Sequence, residues 1–522
     1  MVISGETRAV SGGDPLRSGR AKYLTGAVLA ALAFVLCFYS FDLGHDWGDD
    51  FAEYIAQAMA LWNGNIPDQI AASSFIIGHT PLGYAPVVYP WGFPLMLAPV
   101  YGQFGMSLTA FKQVGIACYA LFVFFSFLYF EKRLGGLWAA ALGLLFAVNP
   151  VMVRATNTIG SDVPFLLFST LSLMSMEALL SGGSARRQYA FGTLSGVLML
   201  AAFLIRTNAL LLMPALLLTQ ALTLPRRCER RWFARTESPV RLAQALPYLI
   251  FIPAYLLIVR VLPGGGESHL QYAALINWER IRSNALFYVT LLKKFMPVPR
   301  GASSLYLAMA ALFFLGVARQ ARRFPLPLIY ALDTLALYLL WPSQQGLRFL
   351  FPLLPVWIMF IALGCRELAT LVFRARSILL DRAMLAFVLC LCALLGLSSV
   401  RAAEQNLARG RVASGGAYSR GAMTAYDYVE SHTPKSAAIA FRKPRALYLN
   451  TCRLGFTPGV EIERLKDADY LLIVSNLSFY TPQVTDKYTP GEIEAQTGLR
   501  LELLHQDADF TLYQVEPSPQ GA

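Results

Sequence analysis

The sequence predicts a polytopic α-helical membrane protein of about eleven spans with a small α/β domain at its C-terminal end, and three observations lead there. Of 522 residues, 56% are hydrophobic and only 15% are charged, too little polar surface to coat a water-soluble globule. Apolar runs suited to a hydrocarbon core of roughly 30 Å recur between residues 24 and 400. Basic residues gather in alternate connections between those runs, the mark of cytoplasmic loops.

Residues 1–22 carry Arg8, Arg17, Arg20 and Lys22 and lack a small-residue cleavage site, so they read as a cytoplasmic tail before a retained first helix. Apolar runs then begin near residues 24, 108, 137, 163, 189, 207, 244, 304, 325, 349 and 383. The even-numbered connections hold Lys132 and Arg133, Arg186 and Arg187, six arginines between Arg226 and Arg241, Arg319 to Arg323, and Arg366 to Arg382. Between Asp42 and Ala110 there is neither Lys nor Arg, so the loop at 43–107 faces outward, as does the one at 263–303. An odd number of crossings puts residues 401–522 outside, beyond a membrane domain at 23–400. That tail is mixed in charge, with a helix-like start at Ala425 to Glu430 and strand-like stretches at Ala437 to Phe441, Tyr470 to Ser475 and Phe510 to Val515.

A net charge of +12 is no nucleic-acid footprint here, because the basic residues lie in short clusters between apolar runs and not on a stripe interleaved with aromatics. The seven cysteines form neither a disulfide framework nor a metal-ligand spacing, and His45, His79 and His269 are scattered, so neither metal nor cofactor is expected.

The chemistry concentrates in the first outer loop, where Asp46, Asp49, Asp50 and Glu53 precede Phe51, Tyr54, Ile55, Ala58 and Trp62 at helical spacing. This predicts an amphipathic helix along the outer membrane surface. Asp49 or Asp50 stands at its N-terminus, with Glu53 in capping-box position, and capping alone accounts for the pattern. The same carboxylates also suit a general base for an acceptor hydroxyl or amine, and the two readings are compatible. Asp162, after a short outer connection, is either an N-cap competing with Ser161 or a partner carboxylate. Arg154, Arg206 and Arg348 fall near outer helix ends, against the topology bias, which points to an anionic ligand such as phosphate. Lys293, Lys294 and Arg300 lie in a segment that is either a cover over a lipid-linked phosphate or a solvated connector. Asp333, inside an apolar run, is costly in lipid and should face the bundle interior.

The stretches GDDFAEYIAQAMALWNGN, YPWGFPLMLAPVY, SDVPFLLFSTL, RTNALLLMPALLL and RFLFPLLP, in that order, resemble the GT-C class of membrane glycosyltransferases. Within it they are similar to the bacterial branch of protein mannosyltransferases and lipid A aminoarabinose transferases. FRKPRALYLNT in the tail resembles the small extracytoplasmic domain of bacterial members. The resemblance implies a GT-C-like fold and transfer of a sugar, with inversion, from a polyprenyl-phosphate carrier to a lipid, glycan or protein acceptor on the outer face. The absence of a GxGxxG or P-loop cradle suits such a donor. By the same resemblance the catalytic acid falls on Asp49 or Asp50, the spacing to Tyr54 favouring Asp50. Arg348, with Arg206, Lys293 and Lys294, would hold the donor phosphate, and Asp162, Glu53 and Tyr54 would support the acceptor.

A multi-pass transporter or flippase of an envelope lipid or glycan precursor is the rival reading. It calls for charges buried midway through several helices, whereas the acids here gather in outer loops. The topology is directly testable. Reporters fused after Gln405 should score outside and those within 225–241 inside; a cytoplasmic signal from the tail would reverse the assignment.

Overall fold

The computed structural model describes residues 19–80, 85–227, 238–262, 276–297, 302–372, 377–412, 415–459, 461–478 and 481–517. Arg300 and His269 therefore lie outside the described residues. Each of the eleven apolar runs coincides with a helix. Eight of these are long and apolar enough to cross a membrane: Gly19–Ser40, Leu108–Leu134, Asp162–Leu180, Ala185–Ile205, Arg241–Val261, Ser303–Gln320, Leu347–Leu371 and Ile378–Ala408. Gly136–Ala147, Thr207–Thr223 and Pro325–Leu340 are apolar but shorter. At 1.5 Å per residue, the shortest of them covers only about 18 Å by itself.

Backbone chemistry explains where some helices break. After Gly136–Ala147, the Asn149 side chain caps a new turn at Pro150–Ala155 by accepting from the amides of Val151 and Met152, while its own amide donates to the Phe295 carbonyl at 2.9 Å. Two short 3₁₀ turns, Thr207–Leu211 and Leu347–Leu353, interrupt the bundle where the RTNALLL and RFLFPLL motifs lie. Arg206 ends the preceding helix in extended conformation, and Pro352 cannot donate within the second turn. Both arginines are thus delivered to helix ends.

Helices Ala302–Gln320 and Leu354–Val372 pack backbone to backbone through Gly316 and Gly364, where an added Cβ would run into the carbonyl oxygens of Phe360 and Leu312 respectively. The start of the loop at 43–107 is held by Lys112. Its ammonium is buried and donates to the Asp42 carbonyl at 2.8 Å, Asp42 Oδ1 at 3.0 Å, the Gly44 carbonyl at 2.5 Å and Asn157 Oδ1 at 2.7 Å.

The loop itself folds into three helices, Asp50–Asn63, Ile66–His79 and Gly92–Phe104. The first of these, called here the loop helix, has few wet positions: Phe51, Ala52, Glu53, Tyr54, Ile55, Ala56, Gln57, Ala58 and Ala60 are all buried, whereas Trp62 is exposed. The expectation of a simple amphipathic surface helix is therefore corrected, and the reason is that the tail covers its other side.

The tail forms a five-stranded sheet of order β2-β1-β3-β5-β4, with β1 at Ala438–Ala440, β2 at Leu454–Phe456, β3 at Tyr470–Val474, β4 at Leu499–Gln506 and β5 at Phe510–Pro517. β1 pairs in parallel with β2 and β3, and β5 runs antiparallel to β3 and β4. The expected helix appears as Arg420–His432 and the three expected strands as β1, β3 and β5. An eight-residue helix, Pro444–Thr451, lies between β1 and β2 and rests on the loop helix. Phe51, Ile55 and Ala58 share one apolar core with Tyr426, Val429, Phe441, Ala446 and Leu447. Gly416, at φ +97°, lies against His45, and the Ala417 amide donates to the His45 carbonyl at 3.1 Å.

Replacing Gly364 with Ala should separate the two helices it joins. Overpacking of this kind costs about 1–3 kcal/mol, to be read as a lower unfolding midpoint in detergent, whereas an unchanged midpoint would contradict the close packing.

Candidate active site

Four charged side chains of alternating sign meet at the ends of four segments. Asp50, the first residue of the loop helix, accepts from Arg348 Nη2 at 3.0 Å. Arg348 Nη1 lies 3.8 Å from Asp162 Oδ2, and Asp162 is bonded in turn to Arg206. Arg206 and Arg348 both lie over the Phe349 ring, at 4.7 and 5.2 Å from its centroid. The Arg348 and Asp50 side chains are 44% and 36% exposed, while those of Arg206 and Asp162 are only 18% and 12% exposed. One pair is therefore open to a ligand and the other is a buttress behind it. Asp162 follows the cap residue Ser161, whose side chain makes no cap bond, and its carboxylate lies between Arg206 and Arg348.

Tyr89 completes the surroundings of Asp50, donating its hydroxyl to Oδ1 at 2.7 Å. Gln57 on the loop helix holds the Tyr89 backbone, accepting from its amide at 3.1 Å and donating to its carbonyl at 2.9 Å. Tyr54 is buried beside it, with ring centroids 4.7 Å apart, and its hydroxyl shares a 2.8 Å hydrogen bond with Ser161. Tyr54 thus links the loop helix to the Asp162 turn.

Asp49 and Asp50 are adjacent in sequence but face different partners. The sequence reads Asp49 as a cap of its own helix or a candidate base. Asp49 makes no cap bond, and its Oδ1 accepts from the Ala446 amide at 3.3 Å in the tail. Burial raises the Asp49 pKa, opposed by the charges of Arg445 and Lys443. Burial also pushes Asp50 up, but Arg348, the Tyr89 hydroxyl and Arg445 outweigh it and hold the carboxyl below its ordinary value. Glu53, expected as a capping-box or acceptor residue, is also corrected. It is 1% exposed, accepts from Gln69 at 3.0 Å and Ser73 at 2.9 Å, and lies 3.2 Å from Arg445 Nε. Burial raises its pKa and Arg445 opposes the rise.

The lysines of the segment at 263–303 do not join this group. Lys293 donates to Ser303 at 2.6 Å beside an apolar cleft lined by Met296, Tyr306 and Trp357, and Lys294 is exposed. Arg154 is also exposed. His45 is buried, accepts from the Ile159 amide at 3.0 Å and stacks on Phe51, a packing role. Asp333 is partly buried, and its Oδ2 has no hydrogen-bond partner.

Among solved structures, ArnT from Cupriavidus metallidurans bound to undecaprenyl phosphate superposes with a TM-score of 0.54 at 16% identity, over 93% of this chain and 97% of that one. The fold is GT-C. The Archaeoglobus fulgidus oligosaccharyltransferase, in complex with zinc and sulfate, matches with a TM-score of 0.56 at 10% identity, over 94% of this chain and 73% of the other. No protein-family model and no curated protein sequence matches the chain. Among the described residues there is no group of three or more His, Cys, Asp or Glu side chains that could hold a metal ion.

Sequence reasoning missed Tyr89 and Arg445. Both lie in stretches that carry the family resemblance, YPWGFPLMLAPVY and FRKPRALYLNT, but nothing local signals that they converge.

The exposures separate the two arginines. Arg206→Ala removes the close counter-ion of the largely covered Asp162, leaving only Arg348 at 3.8 Å, and should cost up to about 3 kcal/mol of stability. Arg348→Ala, at an open pair, should cost no more than about 1 kcal/mol. Thermal unfolding of the two variants checks the ranking, and equal losses would contradict it.

Proposed function

We propose that this protein is a membrane glycosyltransferase that moves a sugar from a polyprenyl-phosphate carrier to a lipid, glycan or protein acceptor at the outer face of the cytoplasmic membrane, with inversion. The observation that carries the reading is the half-exposed Asp50–Arg348 pair at the outer helix ends, backed by the less exposed Asp162–Arg206 pair. A transporter would instead favour such charges midway along its helices. The ligand named for ArnT, undecaprenyl phosphate, supports the donor class.

In this reading the donor phosphate meets the Arg348 guanidinium, which presents several N–H donors in one plane. Phosphate competes with Asp50 for those donors and frees the carboxylate as the donor arrives. Asp50 then takes the proton of the acceptor hydroxyl or amine while the acceptor atom attacks the anomeric carbon. The bond from that carbon to the phosphate oxygen breaks, and the electron pair leaves with the polyprenyl phosphate, whose charge Arg348 offsets. Asp50 suits the role better than Asp49, because its environment keeps it ionised whereas burial favours the protonated form of Asp49. Arg206 and Asp162 orient Arg348 from behind, and Lys293, at its apolar cleft, remains a candidate contact for the lipid phosphate.

Asp50→Asn keeps the shape but cannot accept the proton, and should lower transfer by about 10²- to 10⁴-fold with normal membrane accumulation. Mass spectrometry of envelope lipids and glycans from cells carrying either form should show one modification vanish. Near-normal turnover in Asp50→Asn with loss in Asp49→Asn would move the base one residue back, and use of a soluble nucleotide sugar without lipid carrier would overturn the donor.

A further inference from the structure

Arg445 belongs to the tail, yet its side chain contacts the first outer loop. Its Nε lies 3.2 Å from Glu53, its Nη2 donates to the Pro86 carbonyl at 2.6 Å, and its guanidinium lies 5.1 Å from the Tyr89 ring centroid. Tyr89 in turn aims its hydroxyl at Asp50, and the next residue of the tail, Ala446, donates its amide to Asp49. A single buried side chain therefore grips the loop at Pro86 and Tyr89 and the loop helix at Glu53, on either side of the carboxylate that faces Arg348.

We propose that the C-terminal domain is part of the catalytic machinery, with Arg445 as a positioning residue that holds Tyr89, and through it Asp50, in register with Arg348. The proposal rests on the reading of Asp50 as the base. Stability alone gives a weak reason for such a pair, because a buried salt bridge is commonly replaceable by apolar side chains at no loss. The Arg445 and Glu53 side chains are 3% and 2% exposed, so what the planar guanidinium adds is direction. The groups facing Asp50 are Arg348, Tyr89, Tyr54, Arg445, Lys443 and the neighbouring Asp49. Removing the Tyr89 hydroxyl or the Arg445 charge takes away support for the ionised form.

The test uses the full chain in nanodiscs with an undecaprenyl-phosphate-linked sugar as donor and the envelope lipid fraction as acceptor, reading released undecaprenyl phosphate against pH. Arg445→Met combined with Glu53→Gln removes both charges of the buried pair, and Asp49 keeps the Ala446 amide and Lys443. The double variant should accumulate normally, lose tenfold or more in kcat with little change in KM for the donor, and move the acid limb of the profile to higher pH. Tyr89→Phe should move that limb in the same direction. Arg453→Met is the control: Arg453 is similarly buried in the same domain, but its guanidinium donates to the carbonyls of Thr451, Glu430 and Thr433, away from the loop. It should lower the unfolding midpoint without moving the limb. A wild-type kcat and unshifted limb in the double variant, or an equal shift in Arg453→Met, overturns the proposal while an inactive Asp50→Asn still upholds the base. Undiminished transfer by Asp50→Asn removes the base assignment and this proposal with it.

Discussion

Charges beside a hydrocarbon layer need partners, and the site follows from how that demand is met at Asp50, Arg348, Asp162 and Arg206. Each charge in the row lies beside one of opposite sign, so the group approaches neutrality without burying a lone ion. The inner pair is close and largely covered, and the outer pair is half open to solvent. On the proposed reading that gradient gives the site its direction: an incoming anion exchanges with Asp50 on Arg348, while Arg206 stays committed to Asp162.

The same constraint explains the tail. Glu53 and Asp49 project from the loop helix on the side away from Arg348, and an apolar cover there would strand them. The C-terminal domain supplies Arg445 to one and the Ala446 amide to the other, within an apolar core that both parts share. A loop that reads as a surface helix is thereby clamped between bundle and domain. Lys112 anchors the chain just before that loop through Asp42 and Gly44, so the position of Asp50 is set from both sides.

Much of the architecture was legible because it is local. The eleven apolar runs became helices, and a helix end at Arg206 or Arg348 could be placed by where the apolar run stopped. Asp162 and Arg206 were both singled out as outer-face charges, and they do pair. What failed was the environment of individual side chains. Glu53 was assigned to capping and is buried against Arg445.

The sequence by itself determined the helices and the arginines at helix ends, because hydropathy and helix breaks act over a few residues. Only the tertiary structure decided that Asp50 faces Arg348 while Asp49 faces the tail, and that Tyr89 and Arg445 belong beside them. Neighbouring positions on a helix differ by about 100° in direction. Whether that turn leads to an arginine, an amide or water depends on segments hundreds of residues away, whose approach is set by packing and leaves no mark in the local pattern.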